Sequence, residues 1–204
     1  MEPTSHSSIK LGPLSTSRAE LVDITKGWIG ISIAFAIAET ARSSASFFSA
    51  RFAAAILLAA ITVGIGFLLH ELAHKVVAQR YGCFAEFRAY DQMIVLAIAL
   101  SFVGVIIAAP GAVMIAGDVT RRENGLIAAA GSWVNIALAL LFLAAGILAP
   151  ALSFIAGYGF AVNSWLALFN MIPVWILDGR KVFVWNKAVW LMTILSAAAL
   201  VFAF

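Results

Sequence analysis

FAAAILLAAITVGIGFLLHELAHKVVA, residues 52–78, is the stretch whose reading decides the fold. Ala53 to Leu69 is almost wholly apolar. With its flanks it reaches the roughly 20 residues that a helix needs to cross a bilayer. His70, Glu71 and His74 follow directly, so ionisable side chains stand within or against hydrocarbon, where they are costly and mark function. Successive helical residues turn by about 100°, which sets His70 and His74 about 40° apart on one face, within reach of one metal ion. Glu71 lies about 60° from His74, near enough to address a metal-bound water without ligating. This is the zinc-hydrolase arrangement, in which zinc acidifies the water and glutamate takes its proton. Surface histidines on an amphipathic helix share the spacing but not the apolar run before it.

Five further apolar segments surround this one: Trp28–Ala41, Met93–Ala109, Leu126–Ala149, Leu152–Ile172 and Val182–Phe204. Only the second, fourth and fifth of the six have full spanning length. Composition agrees, with 63% hydrophobic and 11% charged residues and a mean hydropathy of +1.02. Soluble domains carry about 25% charged residues, too many for this chain to match. Long apolar runs favour helices over a lipid-facing barrel. The expected fold is an all-α polytopic membrane protein of about six helical segments, with short surface strands at Phe84–Tyr90 and Ala112–Ala116.

Residues 1–24 are polar and rich in Ser and Thr, and read as a disordered cytosolic tail without a signal peptide. Residues 25–204 form one membrane-embedded domain with core helices at about 52–80, 125–149 and 152–178. The net charge of +3 is thinly spread between apolar runs, which argues against nucleic acid. Cys83 is the single cysteine, so a disulfide and a Cys-rich zinc site are both excluded. Gly64, Gly66 and Gly131 suit close helix packing. Asn163 reads as a helix–helix hydrogen-bonding residue, and Trp165, Trp175, Trp185 and Trp190 as core or interfacial anchors.

Catalytic zinc usually takes three protein ligands. The remaining histidine, His6, lies in the polar tail, so a carboxylate is expected. Asp23, Glu39, Asp91, Asp118 and Asp178 are the candidates. Asp178 is bracketed by apolar residues and followed by Gly179, which permits a sharp turn or a close backbone approach. A helix-capping role for it is the alternative.

His70-Glu71-x-x-His74, followed by Asn170-x-x-Pro173-x-x-x-x-Asp178-Gly179, resembles the site-2 protease family of intramembrane metalloproteases. The resemblance implies one Zn²⁺ per chain held by His70, His74 and Asp178, with Glu71 as general base. It also implies that Asn170 contacts the substrate or the oxyanion. Gly131-Ser132-x-x-Asn135 is similar to the family's G-P-x-x-N, with Ser132 in place of proline, and gives Asn135 a similar role. The likeness runs from about Ala53 to Lys181, and points to a minimal form without PDZ or nucleotide-sensing domains.

Lys75, Arg80 and Arg88, then Arg121 and Arg122, then Arg180, Lys181 and Lys187 fall on one side of the proposed spans. The positive-inside rule makes that side cytosolic, in a cell membrane, and places the metal site toward it. Segment 93–109 then cannot be a single span, because it would invert everything after it. It is expected to be re-entrant or interfacial. The expected function is endoproteolysis of a transmembrane segment of a membrane-protein substrate, with the bilayer as the other partner. A non-hydrolytic zinc scaffold or metal carrier is the alternative, with hydrolysis of a lipid or small amide behind it.

Overall fold

A computed structural model describes residues 9–11, 14–43, 46–47, 49–106, 110–174 and 176–202. The apolar stretch around HELAH forms one rod. Helix α2 (Ala50–Ala59) runs through a π-helical turn, Ala60–Gly64, into α3 (Ile65–Arg80). The Trp28 indole N–H donates to the Ala60 carbonyl within that turn at 3.0 Å. Helix α3 ends in a Schellman-type turn: Cys83 N–H reaches Ala78 O, Gly82 N–H reaches Gln79 O, and Gly82 has φ +77°.

Four helical stretches are long and apolar enough to cross a membrane: Arg18–Arg42, Ala50–Arg80, Arg121–Leu148 and Pro150–Asn170. The first is α1, longer than the Trp28–Ala41 segment suggests. Helix α5 (Arg121–Leu148) opens on a capping box between Thr120 and Glu123. A 3₁₀ turn at Pro150–Leu152 reverses the chain into α6 (Ser153–Asn170). That helix stops at Asn170 rather than 178, because the chain turns there toward Pro173. The last apolar segment divides into α7 (Asp178–Trp185) and α8 (Lys187–Phe202). Asn186 divides them, its Oδ1 accepting from the N–H groups of Ala188 and Val189.

The expectation of a disordered tail through residue 24 is corrected. Strands β1 (Ile9–Leu11) and β2 (Leu14–Thr16) pair antiparallel, and α1 begins at Arg18 behind its N-cap Ser17. Long-range partners hold this region. Gln79 on α3 accepts from Ser15 N–H and donates to Ser15 O. Glu20, fully buried, pairs with buried Lys75 and accepts from Phe87 N–H at 2.9 Å. Lys75 is therefore a core group and no part of a cytosolic charge cluster. His6 and Trp175 lie outside the described residues.

Both expected surface strands form, as β3 (Phe84–Ala89) and β4 (Gly111–Ala116), paired antiparallel from Phe84↔Ala116 to Ala89↔Gly111. The pairing extends one step further, with Tyr90 N–H donating to Pro110 O at 2.9 Å. The chain between therefore leaves and returns at one point of the fold. Helix α4 (Asp91–Ser101) packs on α1, where a Cβ at Gly30 would meet Ile94, and ends at a turn with Gly104 at φ +78°. Its 11 residues reach only about 16 Å at 1.5 Å per residue. The one helix among the described residues of segment 93–109 is thus shorter than a full span.

Candidate metal centre

His70 and His74 project from α3 toward α5 and the start of α7, and both are buried. Each ring has one nitrogen committed. His70 Nδ1–H donates to Asn135 Oδ1 at 2.6 Å, and His74 Nδ1–H donates to the Ile127 carbonyl at 2.7 Å. These acceptors place the proton on Nδ1 and leave the Nε2 lone pair free, the usual way in which a metal-binding histidine is oriented. Both Nε2 atoms face one oxygen of Asp178, at 3.3 Å from His70 and 3.0 Å from His74. The three candidate ligand atoms lie within 4.8 Å of one another.

That spacing fits a divalent ion. Bonds of about 2.0–2.1 Å at tetrahedral angles put neighbouring ligand atoms about 3.4 Å apart. Two neutral imidazoles and one carboxylate are also a donor set that suits a catalytic site with an open fourth position.

Asp178 arrives from a separate element. It opens α7, after the turn that ends α6, and its side chain is 12% exposed. Gly179 makes the approach possible, since a Cβ there would overlap the backbone carbonyl of Met171. Met171 O also accepts from the Trp190 indole at 2.8 Å, so α8 holds the same turn. Burial alone opposes ionisation of Asp178, but positive charge beside it, whether an imidazolium at His74 or a bound cation, outweighs burial and holds the carboxyl well below the usual carboxylate range. The ligand is thus ionised at neutral pH.

Helix α5 closes the other side. A Cβ at Gly131 would stand 2.6 Å from the His70 ring, so that glycine admits the imidazole. Glu71 turns toward the sheet. Its Oε2 accepts from Val113 N–H of β4 at 3.2 Å, while the carboxylate stays close enough to couple electrostatically with His74, His70 and Asp178.

The two asparagines fall out differently. Asn135 is fully buried behind His70, and its amide is engaged within the protein at both ends. The oxyanion role expected for it therefore gives way to supporting a ligand. Asn170 ends α6 and spends one amide hydrogen on the Leu166 carbonyl at 2.9 Å. Sequence reading missed the Ile127 carbonyl, which carries no side-chain signal. It also missed the ties of Glu20, an acidic residue in a polar stretch whose partners lie far along the chain. Asp23, three residues on, faces Arg88 at 3.4 Å and stands apart from His70, His74 and Asp178.

The fold combines four helices long and apolar enough to cross a membrane with a two-histidine, one-aspartate group that could hold a metal ion and a glutamate beside it. The chain is 42% identical over 139 residues to a Methanocaldococcus jannaschii protein named "Putative zinc metalloprotease MJ0611". The match covers 66% of this chain and 73% of the relative, and the chain belongs to that zinc metalloprotease family. No family model and no solved structure matches the chain significantly.

Proposed function

We propose that the protein is an intramembrane zinc metalloprotease of the site-2 type, cutting peptide bonds in or near transmembrane segments of membrane proteins. The observation that carries this reading is the convergence of two Nε2 atoms and one carboxylate oxygen beside Glu71, at the end of a helix long enough to span a membrane. When bound, zinc supplies a Lewis acid that acidifies water and polarises the scissile carbonyl. Glu71 takes the proton of the attacking water and delivers it to the leaving amine. Its bond to Val113 N–H keeps the carboxylate out of the ligand set and aimed across the site. Asn170, which spends one amide hydrogen on Leu166 O, offers the other to the substrate carbonyl.

The register supports an extended substrate along β4. Tyr90 N–H bonds Pro110 O, so alternate residues of β4 direct their N–H and C=O away from β3. Val113 is one of them, and it faces Glu71. A peptide pairing with this edge lies beside the base, as in β-augmentation. The positive-inside rule, applied to Arg80, Arg121, Arg122, Arg180 and Lys181, supports a site toward the cytosolic face of a cell membrane.

Purified wild-type and Glu71→Gln proteins, assayed for zinc content and for cleavage of a membrane-protein substrate, test the reading. Both should hold zinc, and only the wild type should cleave. Zinc in both with cleavage by neither would favour the scaffold or carrier.

A further inference from the structure

Behind His70 a chain of amide groups crosses all three core helices. It begins at a backbone carbonyl of α6. Asn163 Nδ2–H donates to Gly159 O at 2.8 Å, and since a carbonyl can only accept, this fixes which end of the Asn163 amide is the donor. Asn163 Oδ1 then faces α5 and accepts from Asn135 Nδ2 at 3.0 Å. The second hydrogen of that nitrogen goes to Gly66 O on α3 at 3.2 Å. With both hydrogens placed, Asn135 Oδ1 can only turn to His70, where it accepts from Nδ1–H.

Every bond in the chain has one allowed direction, and the last fixes the tautomer of a metal ligand. Asn135 and Asn163 are both fully buried, so no water competes for these bonds. The backbone makes room for Asn163, because a Cβ at Gly66, one turn before His70, would collide with its amide oxygen.

We propose that Asn163 is a positioning residue for the metal centre: through Asn135 it holds His70 with its proton on Nδ1 and its Nε2 lone pair toward Asp178. Ordinary helix packing would need no such polarity, since an apolar residue of similar volume would fill the space. Without Asn163, one hydrogen of the Asn135 amide is left buried and unpaired, and only the bond to Gly66 O still holds that amide with its oxygen toward His70, so the His70 ring is held less firmly. The inference rests on the proposed metal site.

The test uses full-length protein in detergent micelles, with zinc affinity measured against a chromophoric chelator and the ligand field read from the visible spectrum of the cobalt(II)-loaded form. Asn163→Leu should bind zinc up to roughly ten-fold more weakly, the low end of what losing a ligand's own outer partner costs because Asn163 acts through Asn135, and should alter the cobalt spectrum. Asn163→Asp, neutral in so buried a place, can reproduce both bonds and should restore affinity and spectrum. Ser164→Ala is the control. Its hydroxyl bonds only back to Phe160 O among the contacts described, and its loss should leave both readouts unchanged. If the leucine variant does not fold, Asn163→Ser takes its place. That hydroxyl bonds back within the helix and is too short to reach Asn135, so it carries the same expectation. Wild-type affinity and spectrum in a folded Leu or Ser variant would overturn the inference while leaving the metal site standing. A wild type that binds no zinc would instead remove the site itself.

Discussion

His70 and His74 sit one turn apart on the same helix but are oriented by different means, one by a side-chain amide and one by a backbone carbonyl. Their pairing was legible from spacing, because a helix leaves i and i+4 little choice of face. Their tautomers were not, because the acceptors come from α5, more than fifty positions along the chain. Asp178 was the most exposed to doubt, as one of several carboxylates, and geometry singles it out. Asp178→Asn keeps the volume and removes the charge, so zinc content after dialysis against a chelator should fall well below wild type. Unchanged metal content would remove Asp178 from the ligand set. Lys75, adjacent to His74, answers a different question. It is buried against Glu20, so Lys75→Ala strands a carboxylate that keeps only Phe87 N–H and Thr16 as partners. Loss of one partner of a buried pair costs about 3–5 kcal/mol. Denaturant unfolding in micelles should show a loss of that size, and a change under about 1 kcal/mol would mean the pair is effectively solvated.

At the scale of elements, periodicity and length sufficed for α3, α5 and α6, whose apolar runs exceed anything a soluble core requires. Strands β3 and β4 were visible as partial alternation, and their pairing bears on the expectation that 93–109 is re-entrant or interfacial. Because Ala89 faces Gly111 and Tyr90 bonds Pro110, both ends of that segment lie together. Its exposed Val95, Leu96, Phe102, Val103 and Val105 suit contact with lipid rather than water. Cysteines at Asp91 and at Ala112, introduced singly with Cys83 replaced by serine, should both react with a membrane-impermeant thiol reagent applied from the cytosolic side. Labelling from opposite sides would make the segment a span. The start of α1 was misjudged for the opposite reason. Its first turns are polar in composition, and what orders them is a set of contacts with Lys75, Gln79 and Phe87 that no local window contains.

For the molecule as a whole, the candidate metal site brings together residues far apart in the chain. Two ligands come from the rod Ala50–Arg80, and the third from the start of α7, beyond the whole of α5 and α6. The turn that carries Asp178 is held by Gly179 and Trp190, and among the described residues His70 and His74 meet it at one carboxylate oxygen. An ion bound there engages the folded arrangement and finds no such set in the unfolded chain, so binding adds directly to folding stability. With free zinc at a hundred times Kd, the added stability is about 2.7 kcal/mol. Chelator-treated wild type should therefore melt below the zinc-loaded form, and added zinc should restore the difference in a concentration-dependent way. Asp178→Asn should melt near the chelated wild type and respond weakly to zinc, since the ion can no longer tie α7 to the rod. Glu71→Gln should keep the full zinc response, because Glu71 faces β4 and lies outside the ligand set. Equal melting of wild type with and without zinc, at saturating metal, would mean that the three side chains meet without holding an ion between them.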